Sequence, residues 1–169
     1  MPQQQPTVQS SAVESDTEVF EALKSLVGSW EGTTDEGRVI QVTYTLHANG
    51  SVLLEAWTLG PKSDALTLYH MDLATLMATH YCPLCNQPRL LLSPVKHAGT
   101  FVFEFCSATN LPNLSVTHQH SFEVSLLGPD SFWRSETYVE GGSSQTEGVT
   151  YHRAEPQNAL SQETPRDES

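Results

Sequence analysis

The chain has 169 residues with 20 acidic and 8 basic side chains, a net charge of −12, and a 38% hydrophobic fraction. That balance excludes a nucleic-acid backbone or an anionic membrane surface as partner, because both are bound by clustered Lys and Arg. No apolar run approaches the roughly 18–20 residues of a membrane-spanning helix.

Residues 1–14 are rich in Gln, Pro and Ser and are expected to be a disordered tail, as are residues 154–169. The segment Met1–Thr7 has neither a basic n-region nor an apolar h-region, so no secretory signal is expected. The three cysteines, Cys82, Cys85 and Cys106, cannot all pair internally. Without a signal they read as thiols of a reducing compartment, which makes the expected location the cytosol. One domain is expected over 15–153.

That domain opens with a helix. Ser15 or Asp16 is placed to cap it, Glu18 lies in the first turn, and Val19, Phe20, Leu23, Leu26 and Val27 recur at helical spacing before Gly28 stops it. After Gly28 the pattern is all strand. Ile40, Val42, Tyr44 and Leu46 alternate with polar residues, and Asn49-Gly50 is a hairpin turn. Further strands are expected near 51–58, 64–71, 76–82, 88–94, 99–107, 114–126, 131–139 and 145–153. The fold class is therefore all-β: an up-and-down antiparallel barrel of about 8–10 strands, with the short N-terminal helix plugging one end.

The stretch 114–126 alternates strictly. Leu114, Val116, Phe122, Val124 and Leu126 share a face with His118 and His120, which puts both histidines inward and roughly 6–7 Å apart. Buried imidazoles need partners. They find them in a ligand, a metal or ordinary hydrogen bonds, and two in register weigh function and structure evenly. A third metal ligand would come from across the barrel, with His80 the first choice beside His70, Glu55 and Glu136. His70 and His80 lie on one expected hairpin. A two-residue loop at Leu73-Ala74 would pair 70 with 77 and turn the two histidines to opposite sides; a three-residue loop would bring them to one side.

Cys82-Pro-Leu-Cys85 lacks the second cysteine pair of a structural zinc site and ends a strand rather than starting a helix, so it reads as a loop with two thiols. Arg89 opens a strand and could clamp an anion at the barrel mouth, or pair with one of the many acids. Trp30, Trp57 and Trp133 read first as core. Glu55 alternates with Leu53 and Trp57, and Arg134 and Glu136 alternate with Phe132 and Tyr138; either acid could face inward or outward.

Leu26-Val-Gly-Ser-Trp-Glu-Gly32, following a short helix and leading into the first strand, resembles the Gly-x-Trp start of lipocalins and the wider calycin superfamily. Tyr69-His-Met-Asp72, Thr79-His-Tyr-Cys82, Asn86-Gln-Pro-Arg89 and His118-Gln-His120 resemble, in order, a group of uncharacterised bacterial lipocalin-like proteins over roughly residues 17–153. More distantly the chain is similar to the haem-binding nitrobindin barrels. The resemblance implies a cup-shaped barrel with one ligand pocket.

Two functional expectations result. The first is a binding module for a small apolar molecule, its pocket lined by His118, His120, His80, His70, Arg89, Tyr69, Trp57 and Glu55, with haem or a divalent metal on His118, His120 and His80 as a candidate occupant. The alternative is a small barrel enzyme, an isomerase, cyclase or hydrolase, using a pocket histidine as general acid or base against Glu55, Glu136 or a tyrosine. A purely structural or interaction role would instead leave an exposed apolar patch on the wall.

Overall fold

A computed structural model describes residues 14–60, 63–94 and 99–154. The expected tails at 1–14 and 154–169 lie, but for Glu14 and Ala154, outside the described residues.

Helix α1 spans Asp16–Leu23 and tightens into a 3-10 turn at Lys24–Leu26. Its start is a reciprocal cap: the Glu18 amide donates to Ser15 Oγ at 3.3 Å, and the Ser15 amide donates to the Glu18 carboxylate at 2.6 Å. Val19, Phe20, Leu23 and Leu26 are buried. Val27, expected on the same face, is exposed because the tightened last turn rotates it away.

Ten strands follow: β1 Gly28–Thr33, β2 Val39–His47, β3 Val52–Gly60, β4 Ser63–Asp72, β5 Thr75–Tyr81, β6 Gln87–Leu92, β7 Thr100–Thr109, β8 His118–Gly128, β9 Ser131–Glu140 and β10 Ser143–Arg153. Each pairs antiparallel with its sequence neighbour, and β1 pairs with β10, so the sheet is a closed barrel without a free edge. Closure is tight. Gly32 faces Tyr151 in the β1–β10 ladder, and a Cβ on Gly32 would lie 2.7 Å from Val149 Cγ1. No helix among the described residues is long and apolar enough to cross a membrane.

Alternation sets which side chains fill the barrel. Tyr44 and Val42 of β2, Leu53, Glu55 and Trp57 of β3, Thr67 and Tyr69 of β4, Leu76, Ala78 and His80 of β5, Phe101 and Phe103 of β7, and Phe122 and Val124 of β8 are all buried.

Up-and-down topology gives the barrel two distinct ends. The turns β2–β3, β4–β5 and β8–β9 share the end that α1 enters, and Asp16 Oδ2 accepts the Leu76 amide there at 2.9 Å. Arg153 fastens the same end. Its guanidinium stacks over Trp30 at 4.1 Å and donates to the carbonyls of Val27 and Pro129 at 3.1 and 2.9 Å. The loops β1–β2, β5–β6, β7–β8 and β9–β10 form the opposite mouth, which carries no helix among the described residues.

Candidate functional site

The β4–β5 hairpin closes with the two-residue loop Leu73-Ala74, pairing His70 with Met77 and Leu68 with Thr79. The two histidines therefore face opposite sides. His80 is 2% exposed inside the barrel; His70 is half-buried on the wall, its Nδ1 3.3 Å from the Met71 carbonyl oxygen.

Strand β8 departs from the expected alternation. It begins at His118, so Leu114 and Val116 are exposed loop residues rather than strand residues. The β8–β9 pairing then slips between Gln119 and Ser121: Gln119 faces Tyr138, Ser121 faces Thr137, and His120 is the extra residue of a bulge. As a result Gln119 is fully buried and His120 is exposed. His118 is buried, with Nδ1 2.7 Å from the Val116 carbonyl oxygen and its ring 4.9 Å from that of Phe105. The two imidazoles remain neighbours, 5.9 Å apart between centroids, but they sit with Phe105 at the β7–β8 seam. His80 does not join them. Among the described residues, no three His, Cys, Asp or Glu side chains converge as a metal site, so the expected His118, His120 and His80 set does not form.

What occupies the barrel centre is a charge cluster. The Glu55 carboxylate accepts from Tyr44 Oη at 2.8 Å, Tyr69 Oη at 2.7 Å and Trp57 Nε1 at 2.6 Å, and meets Arg134 Nη2 at 3.2 Å. Arg134 also donates from Nη1 to Tyr69 Oη at 3.1 Å and from Nη2 to Glu136 Oε1 at 3.0 Å. Its guanidinium stacks over Phe122 at 4.1 Å. Burial works against the Glu55 charge, but Arg134 and the three donors outweigh it and hold the carboxyl below its ordinary range. Burial pushes the Tyr69 and Tyr44 hydroxyls up, with the Glu55 charge adding to it, so both stay protonated donors. The buried pair is fully hydrogen-bonded, as such pairs must be to persist.

Toward the mouth lies a second polar layer. His80 Nδ1 is 3.0 Å from Thr67 Oγ1, and Nε2 is 3.4 Å from Tyr138 Oη. Burial holds the His80 imidazole below its ordinary range, so the neutral ring is favoured. Tyr138 Oη also lies 4.0 Å from Cys82 Sγ, and burial pushes that thiol up. Cys82 is buried and Cys85 exposed, and both are free thiols at the β5–β6 turn.

The β7–β8 pairing ends at Glu104–Ser121. Beyond it, the chain entering β8 leans on the β5–β6 turn: Asn86 Nδ2 donates to the Thr117 carbonyl at 2.9 Å. Here the buried side-chain atoms Asn86 Oδ1, Gln119 Oε1 and Gln119 Nε2 have no hydrogen-bond partner among the described residues. A surface hollow of about 630 Å³ lies on the outer wall at Glu31, Thr150 and His152, away from this chemistry.

Of the expected pocket residues, Glu55, Trp57, Tyr69 and His80 stand inside the barrel around or above the cluster. Arg89 lies elsewhere, donating to Ser107 and Thr109 hydroxyls across the β6–β7 ladder at 3.3 and 2.8 Å. Arg134 and Gln119 were not singled out from sequence. Alternation with Phe132 already offered Arg134 an inward position; nothing local announces the bulge that turns Gln119 in.

No family model and no curated protein matches the sequence. Among solved structures, the chain is similar to a protein of unknown function from the DUF3598 family of Nostoc punctiforme, at TM-score 0.51 and 15% identity, over 78% of this chain and 49% of that one. The chain thus spans about half the length of that structure. A second similar structure is Rv2717c from M. tuberculosis, at TM-score 0.47 and 15% identity, over 80% of this chain and 97% of that one. At such identities the DUF3598 likeness concerns the fold alone.

Proposed function

We propose that this protein binds one small, mostly apolar molecule in the helix-free half of the barrel, above the Glu55–Arg134 cluster. The observation that carries the reading is Gln119: a fully buried primary amide whose oxygen and nitrogen have no hydrogen-bond partner among the described residues. Leaving such a group unpaired costs on the order of 1–3 kcal/mol, so a protein keeps one where something else completes it. Its surroundings suit a ligand. Tyr138 faces Gln119 across β8–β9 and reaches His80, while Trp57 and Phe122 supply apolar surface over the guanidinium. The closed barrel with one helix-stoppered end is a frame for a single internal ligand.

A haem or divalent metal occupant suits these residues poorly. Both ring nitrogens of His80 are engaged, and no three-ligand group forms among the described residues. For the acid–base enzyme reading, none of His70, His80, His118 and His120 makes a hydrogen bond with a described carboxylate; a tyrosine, Tyr138, does meet His80 Nε2, at 3.4 Å.

Native mass spectrometry of gently purified protein tests the proposal, followed by a crystal structure of the same preparation. A stoichiometric small-molecule adduct, with density against Gln119 and Tyr138, is expected. Bare protein mass from several source extracts, with only water at Gln119, would refute it.

A further inference from the structure

The β5–β6 turn brings two thiols together. In Cys82-Pro-Leu-Cys85 the Cys85 amide donates to the Cys82 carbonyl at 2.9 Å, and the Cys82 amide donates to the Asn86 carbonyl at 3.2 Å. A hydrogen bond from the fourth residue of a turn to the first holds their Cα atoms within about 7 Å. A disulfide needs roughly 4.4–6.8 Å between them, so the backbone already sets the two cysteines at bridging range. Closing the bridge asks for side-chain rotation, not for refolding of a strand.

The two thiols are free and differ in access. Cys85 is exposed, with Sγ 3.7 Å from the Pro83 carbonyl oxygen. Its backbone has φ 64°, in the left-handed region that glycine adopts with the least strain. The turn thus carries a surface sulfur at a position better suited to a residue without a side chain. Cys82 is buried, 4.0 Å from Tyr138 Oη, and burial pushes its thiol up. Cys106 stands apart from the turn, on β7.

We infer that Cys85 and Cys82 act in sequence, as attacking and resolving thiols, to reduce a small organic disulfide and close as a disulfide themselves. The Cys85 thiolate attacks one sulfur of the small disulfide. Its S–S bond breaks, a mixed disulfide forms at Cys85, and the first small thiolate leaves and takes a proton from water. Cys82 then gives its proton to water and attacks the Cys85 sulfur, and the second small thiolate leaves in the same way. Two protein thiols are oxidised to one disulfide, and one small disulfide is reduced to two thiols. The order follows access: the reagent meets the exposed sulfur, and only its neighbour in the turn reaches the buried one. Bonding to the exposed Cys85 sulfur draws Cys82 Sγ off Tyr138 Oη, which also meets His80 Nε2 at 3.4 Å. The state of the turn is thereby felt in the polar layer of the mouth.

Oxidised glutathione added to the whole chain carrying Cys106→Ser tests this, with intact mass read after acid quenching. The mass should settle at that of the reduced protein less two hydrogens, with no thiol left to alkylate after denaturation. Cys82→Ser in the same background should stop at one bound glutathione, and Cys85→Ser should stay unmodified while folded. In the oxidised parent the His80 ring resonances, identified by their absence from His80→Gln, should move. A stable glutathione adduct on the parent, a parent that stays reduced, uptake by folded Cys85→Ser at the parent's rate, or an unmoved His80 ring after closure would each overturn the inference. The parent and Cys85→Ser decide it even where Cys82→Ser, altered at a buried site, fails to fold.

Discussion

Glu55 and Arg134 meet at 3.2 Å in the middle of the barrel with side chains 0% and 1% exposed. They come from β3 and β9, strands that are not neighbours in the sheet, so this contact crosses the barrel interior. It divides the molecule into an apolar half under α1 and a polar half toward the mouth.

Breaking that pair from one side should be costly. Arg134→Met leaves the Glu55 carboxylate buried with its hydroxyl and indole donors but no cation, and should destabilise by about 3–5 kcal/mol. Adding Glu55→Gln removes the stranded charge while keeping an acceptor for Tyr44 and Tyr69. The double variant should therefore be at least about 2 kcal/mol more stable than the sum of the single losses. Urea unfolding of the four proteins measures this, and additive losses would show that the pair is not coupled.

Acid should unfold the protein in two stages. The His80 pKa is lowered in the folded state, so the unfolded chain binds the proton more readily. The neutral-His80 contribution is complete above the ordinary value of 6.5 and is lost as pH falls below it. Glu55 is also lowered, so its contribution is complete above the ordinary 4.5 and is lost as pH falls through the depressed folded value. Melting temperatures from pH 8 to 3 should decline first below about 6.5 and again below about 4.5. Replacing His80 by Gln should flatten only the first decline; an unchanged profile would assign that slope elsewhere.

The three thiols should differ in reactivity. Cys85 and Cys106 are exposed, whereas Cys82 is buried against Tyr138 with its thiol pushed up by burial. Iodoacetamide at neutral pH should label two cysteines in native protein and three after denaturation, as intact mass would show. Native labelling of Cys82 would mean that the mouth layer opens readily.

Arg153 should matter to stability through several weak contacts at once. Arg153→Ala removes the stacking on Trp30 and the donations to Val27, Pro129 and Asp130, and should cost about 2 kcal/mol. Arg153→Lys should recover little of it, because one ammonium cannot stack and serve diverging acceptors together. If lysine restored the melting temperature, charge alone would explain the role.

Much of the frame was legible in the residues. Ser15 and Glu18 marked the helix start, period-2 runs marked the strands, and alternation from Leu53 through Trp57 made Glu55 an inward candidate. These are short-range signals: a cap needs residues three apart, and a strand face needs only its own pleat. Tertiary structure decided the rest. Alternation placed His118 and His120 on one inward face, but pairing with β9 absorbs an extra residue, so Gln119 is buried in place of His120. The β4–β5 loop length chose between two registers and separated His70 from His80. Arg134 is tolerable inside only because Glu55, Tyr69 and Glu136 reach it from other strands or along its own. A bulge, a register and a buried charge each depend on what lies across the ladder or the barrel, and one strand's sequence carries no record of that.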